Sequence, residues 1–469
     1  MSTTWLLGQS PFAIIAGTWI LYQVLKVLYN LSPLHPLSHI PGPRLAAATY
    51  IPEFYHDAIL VGRYTHQIVE MHRKYGPIVR INPNEVHCND VNFSDEIYAV
   101  GGRKRDKSIH QINGAVFGRS GFGTIDHDVH RMRRAPLGKF FSRNNIAKLE
   151  SEIHNLVQKL CDKFLKDSGN VIEIATAFSC FTSDAISGYC FGESFGFLEQ
   201  DGWYPNFRDP ALSTTDLQPR PQALQYKRPT VFGSLLESDL PEEEKSGARL
   251  TDEAGAVVGA GTETTSWSLS VMTYHLLAKP EVLQRLQDEL RQVVDDPKNL
   301  PPWSVLEALP YLGAVIQEGL RLSYGVSSRT ARVATEEDLV YRGEFRGRPL
   351  EYVIPRGTAV GMSAAITHHD ERVYPNSHEF IPERWLKDKD DPQRKEAERA
   401  LLAFSKGSRG CPGKTLGLCE LTLALSAVVL RVLPHARLYE TTIRDVAYDH
   451  DTQVPRTVKE SKGIRVVIN

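Results

Sequence analysis

The stretch FSKGSRGCPG, residues 404–413, sets one cysteine in a loop that carries three glycines and a proline. Cys411 is followed by Pro412 and then by a run of helical character, KTLGLCELTLALSAVVLRVL, residues 414–433. Proline favours the first helical position, which makes Cys411 the expected N-cap. A sulfur there meets unpaired backbone N–H groups and the positive end of the helix dipole, and both favour thiolate. Gly407 and Gly410 let the backbone approach something flat and close. A thiolate held this way suits a metal ligand or a nucleophile. The competing reading is a buried, inert cysteine, the commoner fate of a lone Cys.

Around that loop the chain is ordinary in composition. Its 469 residues allow up to about three average domains. Hydrophobic residues make up 42% and charged residues 23%, as in a folded protein with a large core. A net charge of −2 gives no electrostatic ground for a nucleic-acid partner. Cys88, Cys161, Cys180, Cys190, Cys411 and Cys419 are scattered, without a C-x-x-C pair. That argues against a disulfide framework and a cysteine-rich zinc site, and a reducing compartment is the simpler reading.

The first thirty residues differ. FAIIAGTWILYQVLKVLY, residues 12–29, is mainly apolar and long enough to cross a bilayer if its ends share the interface. Basic residues follow it and none precedes it, so the positive-inside rule places the body in the cytosol. A cleaved signal peptide would carry a basic n-region, which is missing. Residues 1–30 therefore read as a membrane anchor. Residues 31–44 hold Pro33, Pro36, Pro41 and Pro43, and read as a stiff, extended hinge.

Helical periodicity dominates the body, residues 45–469, over 144–167 and 280–296. Strand-like pieces are short: 77–83, 350–362 and 463–469. The fold class is mainly α with a minor β component. The longest helix is expected from Thr251, as cap, to Ala278 before Lys279 and Pro280. Its middle is unusual, with Gly255, Gly259 and Gly261 leading into Glu263, Thr264 and Thr265. Glycine costs a helix about 1 kcal/mol relative to alanine. Small and polar residues at mid-helix suggest a bulky neighbour that needs proton chemistry.

The spacing Phe404-x-x-Gly407-x-Arg409-x-Cys411-x-Gly413 matches the haem-binding signature of the cytochrome P-450 family at every fixed position, and the chain resembles that family over nearly its whole length. Three more of its motifs occur in order: AGTETT (260–265), EGLR (318–321) and PERW (382–385). The resemblance implies a cytochrome P-450 fold with a single haem domain behind the anchor. It implies haem b, iron protoporphyrin IX, with Cys411 as axial thiolate and metal ligand. Phe404 and the loop glycines would shield the sulfur. Arg134, Arg332 and Arg409 would hold the haem carboxylates, although the family usually has tryptophan where this chain has His130. For Arg134 the competing reading is a solvated helix face. Glu263 and Thr264 take the family's catalytic acid and alcohol positions, where protons are delivered to O2. Glu318, Arg321 and Arg384 would brace the ligand loop.

No G-x-G-x-x-G nucleotide fingerprint is present, so electrons must come from outside. The resemblance implies NADPH–cytochrome P-450 reductase as partner, at the endoplasmic reticulum, with Lys139, Arg143 and Lys406 as candidate contact charges. It also implies a hydrophobic small molecule as substrate, hydroxylated or epoxidised with one atom of O2. Residues 318–333 and 404–413 resemble fungal members acting on terpenoids, polyketides and related secondary metabolites, with Val257, Val326 and Ser327 expected at the pocket. One departure stands out. Between Trp203 and Val231 the family carries two long helices that roof the substrate channel, and here the segment is short and broken by five prolines. The distal roof helices are expected to be missing; either coding sequence has been lost or the pocket is open. A monooxygenase is the first reading. A haem-binding protein with little or no turnover is the second. A cysteine hydrolase is a distant third, since no histidine partner for Cys411 is identifiable.

Overall fold

The longest apolar stretches of the body are helices, and the helix after the Cys411 loop packs against the central one. The structure, a computed structural model, describes residues 11–99, 101–112, 117–203 and 230–469, and about half of the chain is helical. The expected loss of roof helices falls on residues 204–230, and 204–229 lie outside the described residues.

The central helix runs Gly247–Ala278, about 48 Å at the usual rise. It starts four residues earlier than the capping signal at Thr251 implied. Ser246 is the N-cap, and Thr251 lies inside the first turns with its hydroxyl on Gly247 O at 2.8 Å. The helix ends before Lys279-Pro280, where proline cannot continue the hydrogen-bond ladder. Two of its glycines have local packing reasons. A Cβ on Gly255 would lie 2.3 Å from Phe117 Cε1, and one on Gly261 would lie 2.8 Å from Ile186 Cγ1. The bulky neighbours of those two faces are therefore protein side chains, Ile186 from the helix Ile174–Phe191.

The helix that follows the cysteine loop spans Lys414–Arg431. It is apolar enough to cross a membrane, yet 89% of its apolar window is buried inside the body. It is a core helix. The N-terminal helix Pro11–Leu31 has the opposite character: its apolar window, Phe12–Leu31, has mean hydropathy 1.5 and is not buried at all. The expected helix over 144–167 is two, Arg143–Ala147 and Glu150–Lys166, because a turn at Lys148 and Leu149 lets both Ile146 and Leu149 reach the core.

A five-stranded sheet lies beside the helices: β1 (Ile78–Asn82), β2 (Glu85–Cys88), β3 (Asp106–Lys107), β4 (Arg332–Val333) and β5 (Ala359–Gly361). Its order is β1-β2-β5-β4-β3, antiparallel except for the β2–β5 pair. The register pairs Lys107 directly with Arg332 across β3 and β4. Directly opposed residues point to one face of a sheet, so two cations from distant sequence share a face. The strand expected over 350–362 is interrupted at Pro355–Gly357; its first part pairs in a separate hairpin and its second is β5.

The proline-rich segment 31–44 is not an extended spacer. Its backbone forms successive turns from Ser32 to Ile40, and Leu37 and Ile40 are buried against the sheet side of the core. Arg80 holds it by donating to Asn30 O at 3.0 Å, while Arg80 N donates to Pro41 O at 2.8 Å.

Candidate active site

The cysteine loop is shaped by its own backbone. Cys411 N donates to Phe404 O at 2.8 Å and Gly410 N to Gly407 O at 3.0 Å, closing a turn around residues 407–409. Gly407 has φ +68°, and a Cβ there would lie 1.8 Å from Tyr98 O. Only glycine fits that position. Cys411 is not the N-cap: Gly413 is, Pro412 lies in the preceding turn, and the helix starts at Lys414. The helix end nevertheless reaches the sulfur, because the N–H groups of Gly413 and Lys414 point at it. Cys411 is solvent-exposed, whereas the five other cysteines are buried. Crowding by neighbouring atoms still pushes its thiol up, against the pull of those N–H groups and of the Arg134 guanidinium. The expected bias toward thiolate is therefore outweighed in the chain itself. Phe404 packs at the edge of the main core, with the Lys414 ammonium 5.8 Å from its ring centroid.

Next to the loop is a concentration of positive charge. Arg332 and Arg409 are buried, Lys107 is buried, and Arg134 is half-buried. Arg409 donates to three backbone carbonyls, Arg105 O, Thr124 O and Ile125 O, at 3.0, 2.7 and 2.5 Å. Arg332 donates to its neighbours Thr330 O and Ala331 O and lies 5.4 Å from the Tyr98 ring centroid. Lys107 donates to Phe122 O and sits 3.5 Å over the Phe122 ring. Among the described residues none of these four cations has a carboxylate within ion-pair distance. The contrast with Arg133 is direct, since it bonds Glu244 at 2.7 Å one residue before Arg134. Burial and then the charge of Arg332 push the Arg409 guanidinium down to about 10. Burial, then Arg409, Arg134 and Lys107, hold the buried His130 imidazole down at about 3, so it stays neutral. Buried cations are costly, and Asp106 and Asp126 offset only part of the charge on Arg409. The donor set fits the two carboxylates of haem, with an open sulfur beside it.

The brace is complete. Glu318 and Arg321 are fully buried and joined by two hydrogen bonds of 2.9 and 2.8 Å. Arg384, Ile381 N and Trp385 Nε1 also donate to Glu318, at 3.0, 2.9 and 2.8 Å. Burial alone would raise the Glu318 carboxyl; Arg321, then Arg384, and the Ile381 N–H bring it below its ordinary value. His368 carries the connection to the loop, bonding Arg321 O through Nδ1 at 2.7 Å and accepting from Leu402 N through Nε2 at 2.9 Å. No motif marked His368.

Glu263 and Thr264 line a cavity of about 90 Å³ with Trp267, Gly325 and residues 454–457. Thr264 Oγ1 donates to Ala260 O at 2.9 Å, which leaves its lone pairs as the free face of the hydroxyl. Arg456 Nη1 donates to Glu263 Oε1 at 3.3 Å from a hairpin formed by His450–Thr452 and Val454–Arg456. Gly325 ties this cavity to the cysteine loop: it lines the one, and a Cβ on it would lie 2.5 Å from Ala403 O in the other. Of the expected pocket residues, Ser327 is fully buried and Val257 packs at the edge of the core. Arg143 pairs with Glu307 at 3.1 Å while remaining exposed, and the less exposed Lys406 pairs with Asp95 at 3.1 Å.

The sequence model described as Cytochrome P450 matches residues 49–208 and 215–433. Cytochrome P450 monooxygenase ppzE of Metarhizium majus is 43% identical, with 84% of this chain and 95% of the relative covered. Cytochrome P450 monooxygenase tpcC of Cochliobolus heterostrophus is 37% identical, covering 96% and 95%. Cytochrome P450 monooxygenase astB of Talaromyces wortmannii is 37% identical, covering 98% of both chains. Matched over most of its length and carrying the cysteine loop, the brace and the mid-helix acid–alcohol pair in that order, the chain belongs to the cytochrome P450 family of monooxygenases.

Proposed function

We propose that the chain is a haem-thiolate monooxygenase that inserts one oxygen atom of O2 into a hydrophobic small molecule, by hydroxylation or epoxidation, in fungal secondary metabolism. The observation that carries this reading is the group of Arg332, Arg409 and Lys107, buried with no carboxylate at ion-pair distance among the described residues and adjoining Arg134 and Cys411. Haem b would be held by Cys411 through sulfur and by Arg134, Arg332 and Arg409 through its carboxylates, with Lys107 added to that set. Bound haem supplies the one-electron chemistry that activates O2.

The residues of the chain do the rest. Phe404 and the loop glycines would flank the sulfur, which is exposed in the chain itself. The Glu318 network holds the loop in place through His368 and Leu402. Thr264, its proton directed to Ala260 O, presents an accepting oxygen to the cavity, and Glu263 stands beside it with Arg456 as its cation. An acid and a hydroxyl on one cavity wall suit proton delivery. That pair favours a working monooxygenase over a haem protein without turnover. A cysteine hydrolase is disfavoured because the charges acting most strongly on Cys411 are Arg134 and Lys414, not an imidazole.

Electrons would come from NADPH–cytochrome P450 reductase. The exposed helix Pro11–Leu31 would anchor the protein in the endoplasmic reticulum membrane with the body in the cytosol. The test is the ferrous–carbonyl spectrum of the purified protein. The strongly red-shifted thiolate band is expected, and Cys411→Ala is expected to abolish haem retention. A normal haem spectrum in that variant would overturn the assignment.

A further inference from the structure

The helix that carries Glu318 and Arg321, Pro310–Ser323, ends on a residue unsuited to the turn it makes. Its C-cap is Tyr324, with φ +63° and ψ −30°, and Gly325 follows at φ +68°. Glycine is the ordinary residue at a left-handed helix end, because a Cβ is crowded there. Among the described residues Tyr324 is the one aromatic with a positive φ. A bulky residue keeps such a backbone only where its surroundings hold it. The surroundings here are specific. Tyr324 is buried, and its hydroxyl hydrogen-bonds His369 Nε2 at 2.6 Å. Its ring lies nearly parallel to that of His368, 13° apart with centroids at 6.0 Å, and meets the Tyr448 ring edge-on at 5.5 Å. These contacts converge on the cysteine loop. His368 accepts from Leu402 N at 2.9 Å. Gly325, the residue after Tyr324, lies so close to Ala403 O that a Cβ on it would stand 2.5 Å away. The next loop residue, Phe404, offers the carbonyl that accepts from Cys411 N at 2.8 Å. Tyr324 thus adjoins both groups that seat Leu402 and Ala403, and it is not part of the wall around Glu263 and Thr264.

We infer that Tyr324 is a positioning residue of the cysteine loop: its ring, wedged against His368 and Tyr448, holds Gly325 against Ala403 and so fixes the place of the Cys411 sulfur as a ligand. The inference rests on the haem-thiolate reading and deepens it, since it names a residue outside every motif that acts on the ligand through the loop. A tyrosine where the turn favours glycine is explained by what the ring touches. The competing account is an ordinary core tyrosine whose loss only lowers stability. Tyr341 supplies the comparison: it is buried in the same sheet-side core cluster, with Phe93 and Tyr352 as ring partners.

The experiment uses the full-length, haem-loaded protein and reads the ferrous–carbonyl spectrum at equal haem content. The quantity measured is the ratio of the unshifted band, given by protein without a thiolate ligand, to the strongly red-shifted thiolate band. Urea midpoints are recorded beside it for every variant. Loss of an aromatic packing contact shifts an equilibrium by about threefold to tenfold, so Tyr324→Gly is expected to raise the ratio at least about threefold, although glycine suits the turn. Tyr324→Phe, which keeps the ring, is expected to retain most of the thiolate band. Tyr341→Ala is expected to lower the urea midpoint and leave the ratio unchanged. A ratio in Tyr324→Gly equal to that of the unsubstituted protein, or an equal rise in Tyr341→Ala, overturns the inference. A rise in Tyr324→Phe as large as in Tyr324→Gly would assign the effect to the hydroxyl and overturn the role given to the ring. If Tyr324→Gly does not load haem, Tyr324→Leu is read in its place by the same criteria. An unsubstituted protein lacking the thiolate band sinks the monooxygenase reading; a normal band that the Tyr324 variants leave intact sinks this inference alone.

Discussion

Thr264 donates to Ala260 O one turn back, so its hydroxyl is oriented by the helix and offers an acceptor to the cavity. Thr264→Ala is expected to uncouple the enzyme: NADPH consumption persists while peroxide replaces organic product. Unchanged product per NADPH would show that Glu263 or solvent manages the protons alone. Among the cations, Arg332 is the cleaner probe, because Arg409 also ties three backbone carbonyls together. Arg332→Leu is expected to speed haem loss to a competing haem-binding protein by about tenfold or more, as removal of a charge-assisted pair would. A loss rate equal to that of the unsubstituted protein would remove Arg332 from the haem contacts. Glu420 sits fully inside the core on the Lys414–Arg431 helix, and burial raises its carboxyl from 4.5 to about 8, opposed only by a hydrogen bond from Thr265. An acid with a raised folded-state pKa keeps a proton that the unfolded chain gives up. Its contribution is present below pH 4.5 and lost as pH rises to about 8, on the order of a few kcal/mol. Glu420→Gln is therefore expected to flatten the fall in urea midpoint between pH 5 and 8; parallel profiles would refute this. Cys411, Arg409, Glu263 and Thr264 could be proposed from sequence because each sits in a short motif. Lys107 and Arg456 could not, because strand register and hairpin placement bring them in from segments with no pattern of their own.

At the scale of elements, the cysteine loop is held from three sides. Tyr98 O closes on Gly407, Ala403 O closes on Gly325, and His368 accepts from Leu402 N while bonding the braced Arg321. Sequence periodicity found helix at 144–167, 251–278 and 280–296 but misplaced the ends, the last stopping at Leu290, for a physical reason. The central helix starts at Gly247 because Ser246 takes an extended backbone there, and no side-chain cap was available to read. The Cys411 helix has its cap two residues beyond the expected one, since Pro412 and Gly413 complete a turn before Lys414. Loop geometry is thus more specific than helix propensity, and it makes a sharp demand on one residue. Gly407→Ala forces a Cβ to within 1.8 Å of a backbone carbonyl at φ +68°, so the loop itself must move. The expected result is loss of most bound haem with far-ultraviolet circular dichroism unchanged. Full haem occupancy in that variant would mean that the loop is not the cofactor's seat.

For the molecule as a whole, segment 204–230 bears on turnover. Alignments to the Cochliobolus relative run over 511 positions, more than the 469 residues of this chain, so the relative has residues without a counterpart here. The family match is also interrupted between 208 and 215, within that segment. Every residue assigned to the haem, the loop and the brace lies outside 204–230, from Lys107 and Arg134 to Cys411. The main core likewise draws on both sides of the segment, with Tyr189 and Leu198 before it and Val231 and Leu235 after it. Haem binding is therefore expected to be complete in the chain as it stands. Coupling is a different matter, because excluding water from the reaction and committing the substrate are tasks of the elements that cover a site. The chain is expected to form less product per NADPH than the same chain carrying a relative's longer residues between Trp203 and Val231. The comparison needs one substrate, equal haem content and the same reductase for both proteins. Equal, high coupling in the two would show that the segment present here covers the site as well as the longer one does.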